Sequence, residues 1–184
     1  NSKKISDKIK LLKNHGIVRN INNYWDYDII SLGHNFRLSD INCALGLSQL
    51  KKLNNFINQR KKLYEYYLKH SINIKKYIEI YKYKNEDSGY HLLLARINFK
   101  NLKSRKEEII KYFIKKKIYL HYHYKPIYKF SFFKEKINLK NFAGSENFYK
   151  NTLTLPLYYK LSFNEIDYIF KIFNRFIKLK NKKK

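Results

Sequence analysis

The sequence predicts an α/β protein, on three observations. Two Ser-x-x-Glu capping boxes, Ser104-x-x-Glu107 and Ser162-x-x-Glu165, each open a stretch whose apolar residues recur at helical spacing. Two runs rich in β-formers, residues 77–83 and 90–97, flank a turn-like segment at 84–89. From Ser39 to Lys69 a roughly helical apolar pattern runs without a proline. Helices interleaved with short strands describe a compact α/β domain, with helices on one side of a small sheet.

Taken in order, residues 6–12 predict an amphipathic helix, with Ile5, Ile9 and Leu12 on one face and Gly16 as a cap after His15. Residues 17–32 mix polar and aromatic side chains without periodicity and are expected to form a loop that continues to Leu38. Ser39 or Asp40 caps the long helix, on which Ile41, Ala44, Leu45, Ser48, Leu53, Ile57 and Tyr64 recur. A helix of this length bridges two domains or carries an interface; the heptad fails at Asn54-Asn55 and Asn58, which argues against a coiled coil. Beyond His70 the pattern predicts the two strands, then a helix at 104–115 with Ile109, Ile110 and Phe113 apolar. A short strand at 118–120 and an extended aromatic loop at 121–128 containing Pro126 follow. Next come a short helix at 141–149 and a brief apolar segment at 153–157 broken by Pro156. The last helix carries Ile166, Ile169, Phe170, Phe173 and Ile177 on one face. No internal repeat is present.

Composition narrows the function classes. The 184 residues, 44% of them hydrophobic, suffice for a core and argue against disorder. No run of about 18 apolar residues marks a membrane span, and the charged first 13 residues lack the apolar region of a signal peptide. A single cysteine, Cys43, excludes an internal disulfide, fits a reducing cytoplasm and is expected to pack as a small hydrophobe. The formal charge of +26 suggests a basic nucleic-acid-binding domain. Yet lysine supplies nearly all of it. The arginines that such surfaces favour are confined to Arg19, Arg37, Arg60, Arg96, Arg105 and Arg175. Lys, Asn, Ile, Tyr and Phe all have AT-rich codons, so the charge reflects composition; nucleic-acid binding stays as the alternative, and residues 180–184 are expected to be a frayed basic tail. A chain that starts at Asn and contains no Met is expected to be a fragment.

The most informative stretch is Gly33-His34-Asn35-Phe36-Arg37-Leu38-Ser39-Asp40, a glycine-initiated loop running into a helix N-terminus. Backbone N–H groups and the helix dipole there suit an anion, and Arg37 adds a forked donor for phosphate or carboxylate. On these features alone an ordinary solvated loop with a helix cap explains the segment at least as well. His15 suits a helix C-terminus. His91 reads as structural at a strand start, His121 as facing away from any pocket, and Trp25 and Tyr27 as packing either near a site or in a core.

Several motifs in a fixed order resemble the DegT/DnrJ/EryC1/StrS aminotransferases, over essentially the whole chain. Leu11-Leu12-Lys13-Asn14-His15-Gly16-Ile17 is similar to the family segment that follows its lysine region. Gly33-x-Asn35-x-Arg37, Asp40-x-x-x-Ala44-x-Gly46-x-x-Gln49-Leu50 and Arg60 resemble its hallmark stretch. Ser88-x-x-His91-Leu92, His123-Tyr124-Lys125-Pro126 and Leu155-Pro156-Leu157-Tyr158 with Leu161-Ser162 resemble later motifs. Tyr159 replaces a usual proline, and Tyr128 stands where many members have histidine. The His15-Gly16-Ile17 segment and Lys125-Pro126-Ile127-Tyr128 most resemble the pseudaminic-acid branch, whose members make UDP-4-amino-4,6-dideoxy-N-acetyl-β-L-altrosamine with nitrogen usually from glutamate.

The resemblance implies the C-terminal portion of a fold-type-I pyridoxal-phosphate transferase. Residues 1–52 would be the edge of a large cofactor domain, with apolar surface left exposed and the bridging helix begun. Residues 53–179 would form the small C-terminal α/β domain, and 180–184 the basic tail. It implies a cytoplasmic homodimer in which Asn35 donates its amide to the cofactor phosphate of the other subunit. Arg37 would support substrate or phosphate charge there, and His123, Tyr124 and Tyr128 would line the sugar-nucleotide pocket. An amide meets a phosphate without changing local charge, and aromatic rings offer a sugar or base a flat face with a polar tip. The Schiff-base lysine, the aspartate for the pyridine nitrogen and the stacking aromatic lie upstream in the family. No catalytic residue and no metal ligand is therefore assigned in this chain, which alone is expected to be inactive. Same-fold sugar dehydratases, with histidine in place of that lysine, are the related alternative.

Overall fold

The computed structural model describes residues 2–19, 22, 25–83, 88–133 and 139–182. They belong to two compact units, Asn1–Leu53 and Asn54–Lys184, with one long helix running from the first into the second.

The first unit holds helix α1 (Lys3–Leu12), strands β1 (Ile17–Arg19) and β2 (Tyr27–Ile29), and the opening of helix α2 (Asp40–Ser71). Helix α1 starts ahead of the expected residue 6, because Ser2 caps it by accepting from the Ile5 N–H at 3.5 Å. The stretch expected to be a loop at 17–32 contains an antiparallel pair instead, in the register Ile17↔Ile29, Val18↔Asp28, Arg19↔Tyr27. Its three-residue strands bury no face, so no alternation marked them. Gly16 is the only buried residue among those described in this unit. Cys43 is therefore exposed, contrary to its expected burial, and Trp25 and Tyr27 are exposed and not core residues.

Helix α2 begins where Ser39 Oγ accepts from the Asn42 N–H at 3.4 Å. Its 32 residues run without a proline, and its buried positions, Leu63, Tyr64, Tyr67 and Ser71, all lie in the second unit.

The second unit continues with β3 (Ile78–Ile80), β4 (Leu93–Ile97), α3 (Phe99–Leu102), α4 (Lys106–Ile114), α5 (Ala143–Asn151), β5 (Thr152–Leu155) and α6 (Phe163–Asn181). The strands form one antiparallel sheet in the order β3-β4-β5. Its register pairs Ile78 with Ile97, Ile80 with Ala95, Ala95 with Leu153 and Leu93 with Leu155, which puts these buried residues on one face. Against the core pack Leu63 and Tyr67 of α2, Ile109 and Phe113 of α4, and Ile166, Phe170 and Phe173 of α6. The Phe113 and Phe173 rings meet at 4.5 Å. Each fully buried side chain of this size contributes roughly 1.5–3 kcal/mol relative to exposure.

The other face carries Leu94, Arg96, Thr152 and Thr154. Helix α5 covers part of it: Tyr81 lies within 3.5 Å of Thr152 Oγ1 and its ring meets Phe148 of α5 at 5.7 Å. All four residues of β5 are consequently buried. The expected apolar segment at 153–157 is thus a strand that ends before Pro156, whose missing N–H cannot continue a ladder.

Other differences are local. The capping box expected at Ser104-x-x-Glu107 is shifted by one residue. Arg105 takes the extended cap conformation, and Glu108 accepts from the Arg105 N–H at 3.5 Å and from the Ser104 hydroxyl at 2.8 Å. Arginine has no acceptor to return the second half. The strand expected at 118–120 is absent; one bridge, His121↔Thr154, takes its place. The Ser162/Glu165 box forms in both halves, with Ser162 Oγ accepting from the Glu165 N–H at 3.2 Å and Glu165 from the Ser162 N–H at 2.7 Å. Lys180 and Asn181 belong to α6 and are not frayed: Lys180 pairs with Glu108 at 2.5 Å. Residues 84–87 of the expected turn and residues 183–184 of the tail lie outside those described.

Candidate active site

In the first unit, two glycines let two segments cross in contact. Gly16 has φ +71°, and a Cβ there would sit 1.8 Å from the Ser31 carbonyl oxygen. A Cβ on Gly33 would sit 2.2 Å from the Gly16 nitrogen and 2.5 Å from the His15 carbonyl carbon. No other residue fits either place. Four backbone bonds stitch the crossing: the His34 N–H donates to Leu12 at 2.8 Å, His15 to His34 at 3.1 Å, Phe36 to Lys13 at 3.1 Å, and Ile30 to Gly16 at 3.1 Å. Asn14 and Asn35 lie opposite one another in this bridge.

The crossing positions the two motif residues. Arg37 donates from Nη2 to Asn14 Oδ1 at 2.6 Å, so its fork is held from one side. Asn35 is exposed, and its amide makes no hydrogen bond with another described residue. His34 stacks on Phe36 at 4.8 Å. The contribution of Asn14 escaped sequence reasoning; the motif that contains it was visible, but a partner 23 residues away was not.

In the second unit, the aromatic loop 121–128 is anchored at nearly every other residue. His121 is tied to Thr154 by two backbone bonds, at 2.7 and 3.1 Å. The Tyr122 ring meets Tyr149 at 5.5 Å, with the Lys106 ammonium 4.9 and 4.5 Å from the two ring centroids. Burial depresses the Lys106 pKa. Half-buried His123 places Nδ1 at 2.8 Å from Thr154 Oγ1. Its pKa is lowered, first by burial and then by His121 and His91, so the ring favours its neutral form. Pro126 is buried. Tyr124 is left 70% exposed, edge-on to the His123 ring at 4.6 Å.

Tyr128 stands apart from that pair. Its hydroxyl donates to Glu146 Oε1 at 2.9 Å and its ring lies 4.8 Å from Phe142. The same carboxylate pairs with Lys129 at 2.9 Å, which depresses the Glu146 pKa and raises that of Lys129. The loop residues expected to line a pocket thus divide into His123 with Tyr124, and a Tyr128 whose polar tip is already engaged. Two further motif residues prove to be braces: Arg60 Nε donates to the Gly89 carbonyl at 2.9 Å, and Ser88 Oγ accepts from the Tyr90 N–H at 3.1 Å. Thr154, Glu146 and Lys106 were missed by sequence reasoning, since no local pattern marks a contact made across 18 to 43 residues.

The chain is 34% identical over 169 residues to a UDP-4-amino-4,6-dideoxy-N-acetyl-beta-L-altrosamine transaminase of Campylobacter jejuni subsp. jejuni, covering 92% of this chain and 44% of that protein. Among solved structures it matches PseC of Helicobacter pylori, an aminotransferase involved in the biosynthesis of pseudoaminic acid. The TM-score is 0.83 and the identity 26%, over 97% of this chain and 47% of that one. It also matches the Streptococcus pneumoniae protein Spr1654 in its PLP form, at TM-score 0.81 and 28% identity, over 97% and 44%. The chain therefore spans less than half the length of these proteins, and its fold is that of part of such an aminotransferase. Residues 1–174 match the model of one family, and the chain belongs to the DegT/DnrJ/EryC1/StrS aminotransferase family.

Proposed function

We propose that this chain is the C-terminal portion of a pyridoxal-phosphate-dependent, cytoplasmic aminotransferase. The full-length protein moves an amino group from glutamate to the C4 keto group of a UDP-linked deoxy sugar, in the synthesis of pseudaminic acid or a related surface glycan. The observation that carries this reading is the Asn35 amide, exposed and without a hydrogen-bond partner among the described residues, on a crossing that admits only glycine at two positions. A side chain so displayed, with two free N–H donors, fits a phosphate supplied from outside the unit.

The roles follow from what each residue offers. Asn35 holds the cofactor phosphate of a second subunit, and Arg37, oriented by Asn14, adds positive charge beside it. Bound pyridoxal phosphate supplies the electron sink for the carbon that exchanges its amino group. His123 and Tyr124 bind the sugar nucleotide, the first by a hydrogen bond and the second by its exposed ring face. Tyr128 shapes the loop from its seat on Glu146. The lysine that binds the cofactor covalently is contributed by sequence outside this chain. Residues 1–52 belong to a large domain completed there, and residues 53–179 belong to the small domain, whose last helix runs on to Asn181.

The test is retention of cofactor by the full-length dimer. Asn35→Ala is expected to weaken pyridoxal-phosphate binding at least about tenfold, the loss of roughly one to two charge-assisted hydrogen bonds. Dialysis followed by cofactor absorbance measures it. Unchanged retention, with unchanged turnover of the UDP-sugar, overturns the assignment.

A further inference from the structure

Thr154 meets the aromatic loop at three atoms. Its N–H donates to the His121 carbonyl at 2.7 Å, its carbonyl accepts from the His121 N–H at 3.1 Å, and its Oγ1 lies 2.8 Å from His123 Nδ1. The residue is 6% exposed, and the hydroxyl has no other hydrogen-bond partner among the described residues.

That isolation decides the direction of the bond. A hydroxyl carries one proton that needs an acceptor, and a neutral imidazole carries one donor and one acceptor nitrogen. If His123 donated from Nδ1, the buried Thr154 proton would have no acceptor, which is unfavourable for a group withdrawn from water. If Thr154 donates, both groups are satisfied. The surroundings supply the required neutral ring, since burial first, and then His121 and His91, oppose its charging.

We infer that Thr154 is a positioning residue that locks His123 in the Nε2–H tautomer, so the free edge of the ring is an N–H donor and not a lone pair. Resting on the reading of His123 as a pocket residue, this also names what His123 takes: an acceptor oxygen, of a phosphate, hydroxyl or carbonyl of the sugar nucleotide. It removes His123 as a general base. Because the two backbone bonds to His121 do not involve the Thr154 side chain, Thr154→Val deletes one interaction and leaves the loop tied.

The tautomer is read directly from nitrogen-15 correlation spectra of the imidazoles in the full-length holoenzyme, with His123 assigned by its loss in His123→Gln. The wild type is expected to show a protonated Nε2 and a bare Nδ1. Thr154→Val is expected to mix the two tautomers and to raise KM for the UDP-sugar on the order of tenfold with kcat nearly unchanged, the pattern of lost ground-state binding. Thr154→Ser restores both. A protonated Nδ1 in the wild type overturns the inference without any variant, as does a tautomer that Thr154→Val leaves unchanged. The pocket reading fails separately: it falls if His123→Gln leaves KM unaltered while the wild-type tautomer is as expected.

Discussion

The backbone nitrogen of Gly16 lies where the side chain of any other residue at position 33 would have to begin, 2.2 Å from that Cβ. Three backbone bonds, His34 to Leu12, His15 to His34 and Phe36 to Lys13, hold Asn35 and Arg37 beside Asn14 across this approach. Gly33→Ala is therefore expected to push the two segments apart, with a loss of about 2 kcal/mol or more, since the obstacle is backbone and cannot rotate away. Gly46→Ala is the control. Nothing lies within 4 Å of that position on helix α2, so helix propensity alone acts, stabilising the chain by about 0.5–1 kcal/mol. Chemical denaturation of the two variants of this chain checks both signs.

Asn14 and Arg37 should behave as a coupled pair. The bond is short but exposed, so Asn14→Ala is expected to cost little stability, about 0.5 kcal/mol. Its effect should instead be on anion binding, because an unheld arginine must be ordered at each encounter. A double-mutant cycle on cofactor and substrate binding in the full-length protein is expected to show a coupling of about 0.5–1 kcal/mol. Strict additivity would refute the idea that Asn14 orients Arg37.

Tyr67 carries a hydroxyl into the core. Its ring is fully buried, its OH donates to the Pro156 carbonyl at 2.9 Å, and burial pushes its pKa strongly upward. The bond fixes the chain just past β5, where proline offers no N–H for a ladder. Tyr67→Phe keeps the ring and leaves that carbonyl unpaired, an expected loss of about 1–2 kcal/mol. Thermal unfolding of the variant checks it; a change near zero would mean that water replaces the hydroxyl.

What could be read from the sequence was what is encoded within a few residues. Ser39 before a proline-free pattern announced helix α2, and Ser162 with Glu165 announced α6, because caps and helical faces act over three or four positions. Strand β5 was hidden, since both of its faces are buried and a short run without alternation resembles any apolar segment. The β1–β2 pair was hidden for the opposite reason: neither strand carries a buried residue. The candidate site divides the same way. Asn35, Arg37, His123 and Tyr124 stood out through their motifs, whereas Thr154 and Asn14, which orient two of them, are ordinary residues given a role only by the pairing of distant segments.

Glu108 links the start of α4 to the end of α6 through Lys180. The Lys180 ammonium, then the Ser104 hydroxyl, hold its pKa down to about 2, from an ordinary value of 4.5. A carboxyl more acidic folded than unfolded binds fewer protons in the native state between those two values. Its stabilising contribution is thus complete above about pH 5 and lost progressively as the pH falls from 4.5 towards 2. Glu108→Gln is expected to be less stable than wild type at neutral pH, with the difference closing across that window. Glu146 and Glu165 are also more acidic than usual and shift both proteins alike, so the difference isolates Glu108. Lys180→Met should mimic the variant. Because the pair is partly exposed, added salt should shrink the gap at pH 7. Denaturation midpoints for the three proteins between pH 2 and pH 7 measure this, and a gap that persists unchanged at pH 2 would show that Glu108 acts by packing and not by charge.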